Sequence, residues 1–226
     1  MKKAVIVLAV VLVVSAAAQA ALTLQDGYVV GASSQGSVRY LDLAGTNNKN
    51  DIYLGVDGLG TSANRVQQTF YGTGGNWAAT NSVEFIYDKA NDRLITNVTN
   101  SRTTPYQLVW NNFSTTRPNP ASALNYLKIG MKSGTTTGTV ALENIILDSV
   151  SVGSVSAVSS SDATYKNWYL GGYDFSNGFT LKADLKLTGT LLSDESSKVD
   201  ITFGQIPEPA TMVLLGLGGL LLRKRK

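Results

Sequence analysis

The 226-residue sequence predicts an all-β fold for residues 21–204, a β-sandwich or jelly roll of roughly ten to twelve antiparallel strands. Three observations carry this prediction. Apolar and polar residues alternate with a period of two in stretch after stretch. The stretches recur about every 8–12 residues with Gly, Asn, Asp and Ser between them, as sandwiches and barrels require. No segment of this region carries the 3.6-residue apolar period of an amphipathic helix.

At the N-terminus, Met1-Lys2-Lys3 is a positive leader and Ala4–Val14 is unbroken apolar sequence. Ser15–Ala20 follows, a run of small residues with one Gln. Ala18-Gln19-Ala20 fits the small-x-small rule, so residues 1–20 read as a signal peptide, helical while in the membrane and removed before Ala21. In the middle, Val83–Tyr87 and Arg93–Thr99 read as a hairpin around Asp88-Lys89-Ala90-Asn91-Asp92, with Val83, Phe85 and Tyr87 on one face. Leu124–Met131 alternates and closes at Lys132-Ser133-Gly134; Thr139–Leu147 is β-rich, and Val150–Gly153 is a further short strand. Phe179–Leu187 sets Phe, Leu, Ala, Leu and Leu against Thr, Lys, Asp and Lys, the mark of a sheet with one wet face. Lys198–Gly204 is the last strand.

Beyond it, Ile206-Pro207-Glu208-Pro209-Ala210-Thr211 precedes an apolar run, Met212–Leu222, and then Arg223-Lys224-Arg225-Lys226. The prolines keep the neck extended. As a helix the apolar run reaches roughly 17 Å against a hydrocarbon core of about 30 Å, a marginal span that the terminal bases extend by snorkelling. Those bases stay cytoplasmic and leave the rest of the chain outside.

The basic character of the sequence, with a pI near 9.0, belongs to these ends. They hold six of the 19 Lys and Arg and one of the 16 acids, Glu208, which leaves 13 bases against 15 acids elsewhere. No basic patch recommends nucleic acid as a partner. Cys and His are both absent. Disulfide staples, Ser-His-Asp triads, thiol nucleophiles and zinc sites built on His or Cys are thereby excluded.

The C-terminal pattern closely resembles the PEP-CTERM sorting signal, in which Pro-Glu-Pro precedes a short apolar helix and terminal bases. On that resemblance residues 205–226 form the signal, with a membrane helix at 211–222 and a basic tail at 223–226. An exosortase, a membrane transpeptidase-like protease, then recognises Pro207, Glu208 and Pro209, which are a substrate site and not a catalytic one. The resemblance implies signal peptidase and exosortase as processing partners and an inner-membrane-tethered intermediate. Its end point is the cell surface or an extracellular matrix, with exopolysaccharide or other matrix components as neighbours. A second resemblance spans most of residues 50–204. Tyr53-Leu54-Gly55, Gly58–Val66, Phe85-Ile86-Tyr87-Asp88, Leu124-Asn125, Asn144–Leu147, Gly178–Leu181 and Ile201–Gly204 occur in the order of the choice-of-anchor extracellular domains. That family brings no catalytic residue with it, so the expected role is a non-enzymatic structural or adhesive module.

Three constellations compete with that role. Asn48, Asn50 and Asp51 supply oxygen ligands for Ca²⁺, the only cofactor candidate; the D-x-[DN]-x-[DN]-G pattern is missing and Lys49 intrudes, so a solvated loop accounts for them too. Trp168, Tyr169 and Tyr173, beside Gly171 and Gly172, suit a sugar in a lectin-like domain, but the burial tendencies of Trp and Tyr favour core or loop packing. Glu84, Asp88, Asp92, Glu143, Asp194 and Glu195 are the carboxylates from which a glycan hydrolase would draw its pair. Asn97-Val98-Thr99 and Asn112-Phe113-Ser114 match the glycosylation pattern and read as chance matches in an Asn-rich bacterial chain.

Overall fold

The computed structural model describes residues 22–27, 29–44, 49–71, 77–102, 105–135, 137–158, 165–191 and 196–206. Both terminal helices, the Ala18/Ala20 cleavage box, the Pro207-Glu208-Pro209 neck and the tail lie outside these residues.

The described chain forms thirteen strands: β1 (Gln25–Asp26), β2 (Ser33–Leu41), β3 (Lys49–Val56), β4 (Arg65–Tyr71), β5 (Thr80–Asp88), β6 (Arg93–Asn100) and β7 (Tyr106–Asn111), then β8 (Tyr126–Lys132), β9 (Gly138–Leu147), β10 (Val150–Ala157), β11 (Lys166–Gly171), β12 (Phe179–Gly189) and β13 (Lys198–Gln205). One helical turn, α1 (Phe113–Thr116), interrupts them, with 3₁₀ turns at Asp57–Leu59, Ser62–Asn64 and Phe175–Asn177. The all-β sandwich is as predicted, with one strand more than the upper expectation. The two-residue β1 pairs with β11 and is too short to leave an alternation signal.

The strands lie in two antiparallel sheets. Sheet A runs β1-β11-β8-β13-β2-β3-β4, and sheet B runs β10-β9-β12-β5-β6-β7. β2–β4 meander through sheet A and β5–β7 through sheet B; from β8 onward the chain crosses back and forth, as in a jelly roll. The last strand, β13, enters the middle of sheet A between β2 and β8.

Inner faces meet in one core. Phe203 of β13 is fully buried at its centre, with ring centroids 5.0 Å from Phe179, 5.3 Å from Phe113, 5.7 Å from Phe85 and 5.9 Å from Tyr87. Room for this ring comes from Gly36 of β2, where a β-carbon would run into it. Asn81 is a fully buried polar residue with every group answered. Its amide donates to the carbonyls of Ala78 (2.8 Å) and Leu185 (3.2 Å), and its oxygen accepts from Ala78 N–H (2.9 Å) and the Asn100 amide (2.9 Å).

The expected hairpin is β5–β6, with Val83, Phe85 and Tyr87 all buried. Its Asp88 carboxylate accepts from Asn91 and Arg93, and these bonds, Asn91 first, hold it below the usual carboxylate range. β12 shows its expected two faces, with Phe179, Leu181, Ala183, Leu185 and Leu187 inward. β9 carries a bulge opposite Lys182–Asp184, and Asn144 takes its left-handed position (φ 51°).

Candidate functional site

The outer faces of the two sheets differ in charge. Sheet B pairs its charges internally: Lys182 with Glu84 (3.1 Å), Lys186 with Glu143 (2.5 Å) and Arg93 with Asp88 (2.9 Å), while Asn144 donates to Asp184 (2.8 Å). Sheet A presents Arg39, Arg65, Lys128, Lys132 and Lys198 against Asp51 and Asp200 among the described residues. The net-acidic domain therefore has one cationic face.

Strand register arranges that face in rows. Tyr169, Lys128, Thr202, Ser37 and Gly55 stand side by side across β11, β8, β13, β2 and β3. The next row holds Asn167, Gly130, Asp200, Arg39 and Tyr53, with Arg39 paired to Asp200 at 2.5 Å. Parts of the face are covered. Leu59 joins Leu41 and Tyr53 in a small outer cluster, where the Arg65 guanidinium lies 4.0 Å from the centre of the Tyr53 ring and donates to the Leu59 carbonyl (2.9 Å). At the other end the segment Val29–Ala32 rises beside β8 and leaves a groove of about 420 Å³.

Ser34, Tyr126, Lys128, Asn167 and Thr202 line the groove beside that segment. A hydroxyl relay crosses its floor, with Ser34 and Ser37 3.2 Å apart and Ser37 donating to Thr202 (3.1 Å), so the Thr202 proton is left to give. Burial pushes the Tyr126 phenol up to about 12, which keeps it a neutral donor. Among the described residues neither the Tyr126 hydroxyl nor the half-buried Lys128 ammonium has a hydrogen-bond or ionic partner.

The aromatic trio does not converge. Trp168 and Tyr169 are consecutive in β11 and so point to opposite faces. Trp168 packs against the core, whereas Tyr169 lies on the outer face and donates to Gln25 (2.5 Å). Tyr173 lies beyond the strand, its ring 4.8 Å from Phe175 and its hydroxyl donating to Asp148; burial and then this bond push it up to about 12. Trp168 and Tyr169, two of the three expected glycan contacts, thus do not share a face.

Of the Ca²⁺ candidates, Asn48 lies outside the described residues and only the backbone of Asn50 is described, in β3. The Asp51 carboxylate accepts from Tyr53 (3.2 Å) and Gln67 (3.5 Å). Among the hydrolase candidates, Asp92 accepts from Ser114 (2.7 Å) and Glu84 also accepts from Asn97 (2.5 Å); Asp194 and Glu195 lie outside the described residues. Sequence reasoning passed over Lys128, Tyr126 and Thr202. The available signal was weak, because a Lys between Leu127 and Ile129 reads as the ordinary wet side of a strand.

The domain ends against its own core. Asn125 holds the exit of β13 through its backbone N–H to Gly204 (2.9 Å), its side-chain oxygen to Ile206 N–H (2.8 Å) and its amide to the Ile206 carbonyl (3.2 Å). Pro207, the first residue of the expected recognition motif, follows directly. Comparison with protein families matches residues 205–226 to the PEP-CTERM protein-sorting motif. No curated protein matches the chain. Among the described residues no helix is long and apolar enough to cross a membrane, and the expected membrane helix lies outside them.

Proposed function

The chain carries a PEP-CTERM sorting motif, the mark of an exported protein that an exosortase processes at the membrane, and from that premise we propose a surface or matrix module without enzymatic activity. The domain acts structurally or adhesively among exopolysaccharide or other matrix components once the tail has been processed. The observation that carries the non-enzymatic reading is the state of the carboxylates. Glu84, Asp88 and Glu143 each sit on a cation, and Asp92 is held by the Ser114 hydroxyl and backbone, so none stands as an unpaired acid poised to protonate a leaving group. The carbohydrate-binding alternative is favoured by the groove over Lys128 and not by the aromatic trio.

Replacing Pro207, Glu208 and Pro209 together by alanine leaves an uncleaved, membrane-retained form in the exporting cell; normal processing of that variant overturns the sorting role. Release of reducing ends from the producing cell's own polysaccharide, abolished by Glu84→Gln, would overturn the non-enzymatic role.

A further inference from the structure

We infer that the groove on the outer face of sheet A binds a sugar bearing a single carboxylate, a uronate unit of a glycan chain, with Lys128 as its charge partner. Four observations converge on that chemistry.

The first is charge. Lys128 is a half-buried ammonium with no anion among the described residues, on the one face of the domain where cations outnumber carboxylates. An ammonium partly withdrawn from water and lacking a partner gains more from an incoming anion than an exposed lysine does. The other cations of the face are engaged: Arg39 with Asp200, Arg65 with Leu59 and Tyr53, and Lys132 and Lys198 about the Tyr165 ring at 5.7 and 5.6 Å. One free positive charge matches one carboxylate. A phosphate group, which calls for several cations or a cradle of backbone N–H groups, is a poorer match.

The second is the neutral lining. Tyr126 offers an unpartnered phenol, Thr202 the last proton of a three-hydroxyl relay, and Asn167 a side-chain oxygen beside Gly130. Hydroxyl, phenol and amide groups are the complements of sugar hydroxyls, which both donate and accept. The third is an apolar lip. Val30, 81% exposed and the most exposed large apolar side chain described, lines the same groove and presents a surface for the C–H face of a sugar ring. The fourth is extent. Tyr169 stands beside Lys128 on the neighbouring strand β11, about 4.8 Å away, so the outer row continues past the groove on that side and accepts a chain better than a single small anion.

The inference deepens the surface-module reading and rests on the domain, not on the sorting tail. The test is calorimetric titration of the full chain, solubilised in detergent, with trigalacturonic acid and separately with its neutral methyl ester. The acid binds, and the ester binds about tenfold or more weaker, the scale of one lost charge-assisted hydrogen bond. K128Q loses the same factor toward the acid and discriminates no longer, K128R keeps the discrimination, and Lys182→Gln on the opposite sheet changes nothing. Circular dichroism confirms that each variant is folded. Absence of binding at about 5 mM acid, an ester bound as tightly as the acid, or undiminished binding by folded K128Q overturns the assignment. Such a failure leaves the surface-module reading standing, because that reading is tested separately, by processing of the Pro207-Glu208-Pro209 variant and by release of reducing ends.

Discussion

Phe203 sits at the centre of the aromatic core, where a single truncation tests how the two sheets are held together. Its side chain is fully buried and touches four other rings, Phe179, Phe113, Phe85 and Tyr87, at centroid distances of 5.0–5.9 Å. Phe203→Ala removes the transfer energy of the ring and leaves a cavity between the sheets, which together cost about 4 kcal/mol. With a urea slope near 2 kcal/mol per molar, the midpoint of unfolding falls by about 2 M. The assay is urea denaturation followed by far-ultraviolet circular dichroism, with the exposed Gln67→Ala as a control that stays within about 0.5 kcal/mol. Gly36 makes the reasoning sharper. Gly36→Ala alone is destabilising by about 1–3 kcal/mol because its methyl group meets the Phe203 ring, whereas in a Phe203→Leu background that methyl group enters vacated space. The pair is therefore less than additive by about 1 kcal/mol. A midpoint shift below about 0.7 M for Phe203→Ala, or strict additivity of the pair, would refute this account of the core.

Three further outcomes are expected. A chain ending at Ile206 folds with an unchanged spectrum, while one ending at Ser197 does not, because β13 fills the centre of sheet A and supplies Val199, Ile201 and Phe203 to the core; dispersion of the amide NMR spectrum distinguishes them. Asn81→Asp sets a carboxylate against the carbonyls of Ala78 and Leu185, and costs upwards of about 3 kcal/mol at pH 7 but less at pH 4, where protonation restores a donor; urea midpoints at the two pH values read the difference. The Tyr126 phenol is pushed up to about 12 in the folded protein from an ordinary value of 10.0, so its contribution to stability is complete below pH 10 and is lost as the pH rises from there toward 12. Ultraviolet titration of Tyr126→Phe lacks one late-ionising phenol, and an unchanged curve would contradict the burial argument.

Elements with one wet face were legible in the sequence. β5, β6, β9, β12 and β13 alternate because water on one side selects Glu84, Asn97, Lys182, Lys186 and Asp200 while the core selects Phe85, Leu94, Leu181 and Phe203. β8 was legible from its alternation, whereas β2 gave little signal, and what neither showed was the cover on the outer face. That face is partly roofed by Val29–Ala32 and by the turn around Leu59, so Ser37, Leu41, Tyr126 and Lys132 are buried on the outside as Val38, Tyr40 and Ile129 are on the inside; in β2 burial on both faces blurs the period of two.

By itself the sequence determined the sorting motif and the sandwich class, because both are written in local order: Pro-Glu-Pro before an apolar run, and alternation between turns. It also excluded His and Cys chemistry outright. Only the tertiary structure decided that Trp168 and Tyr169 part company across a strand, that Glu84 and Glu143 pair with Lys182 and Lys186, and that Lys128, beside Tyr126 and Thr202, has no anion among the described residues. The ion pairs depend on β12 lying between β5 and β9, and the surroundings of Lys128 on β8 lying between β11 and β13; register between such distant strands is set by the packing of the whole core.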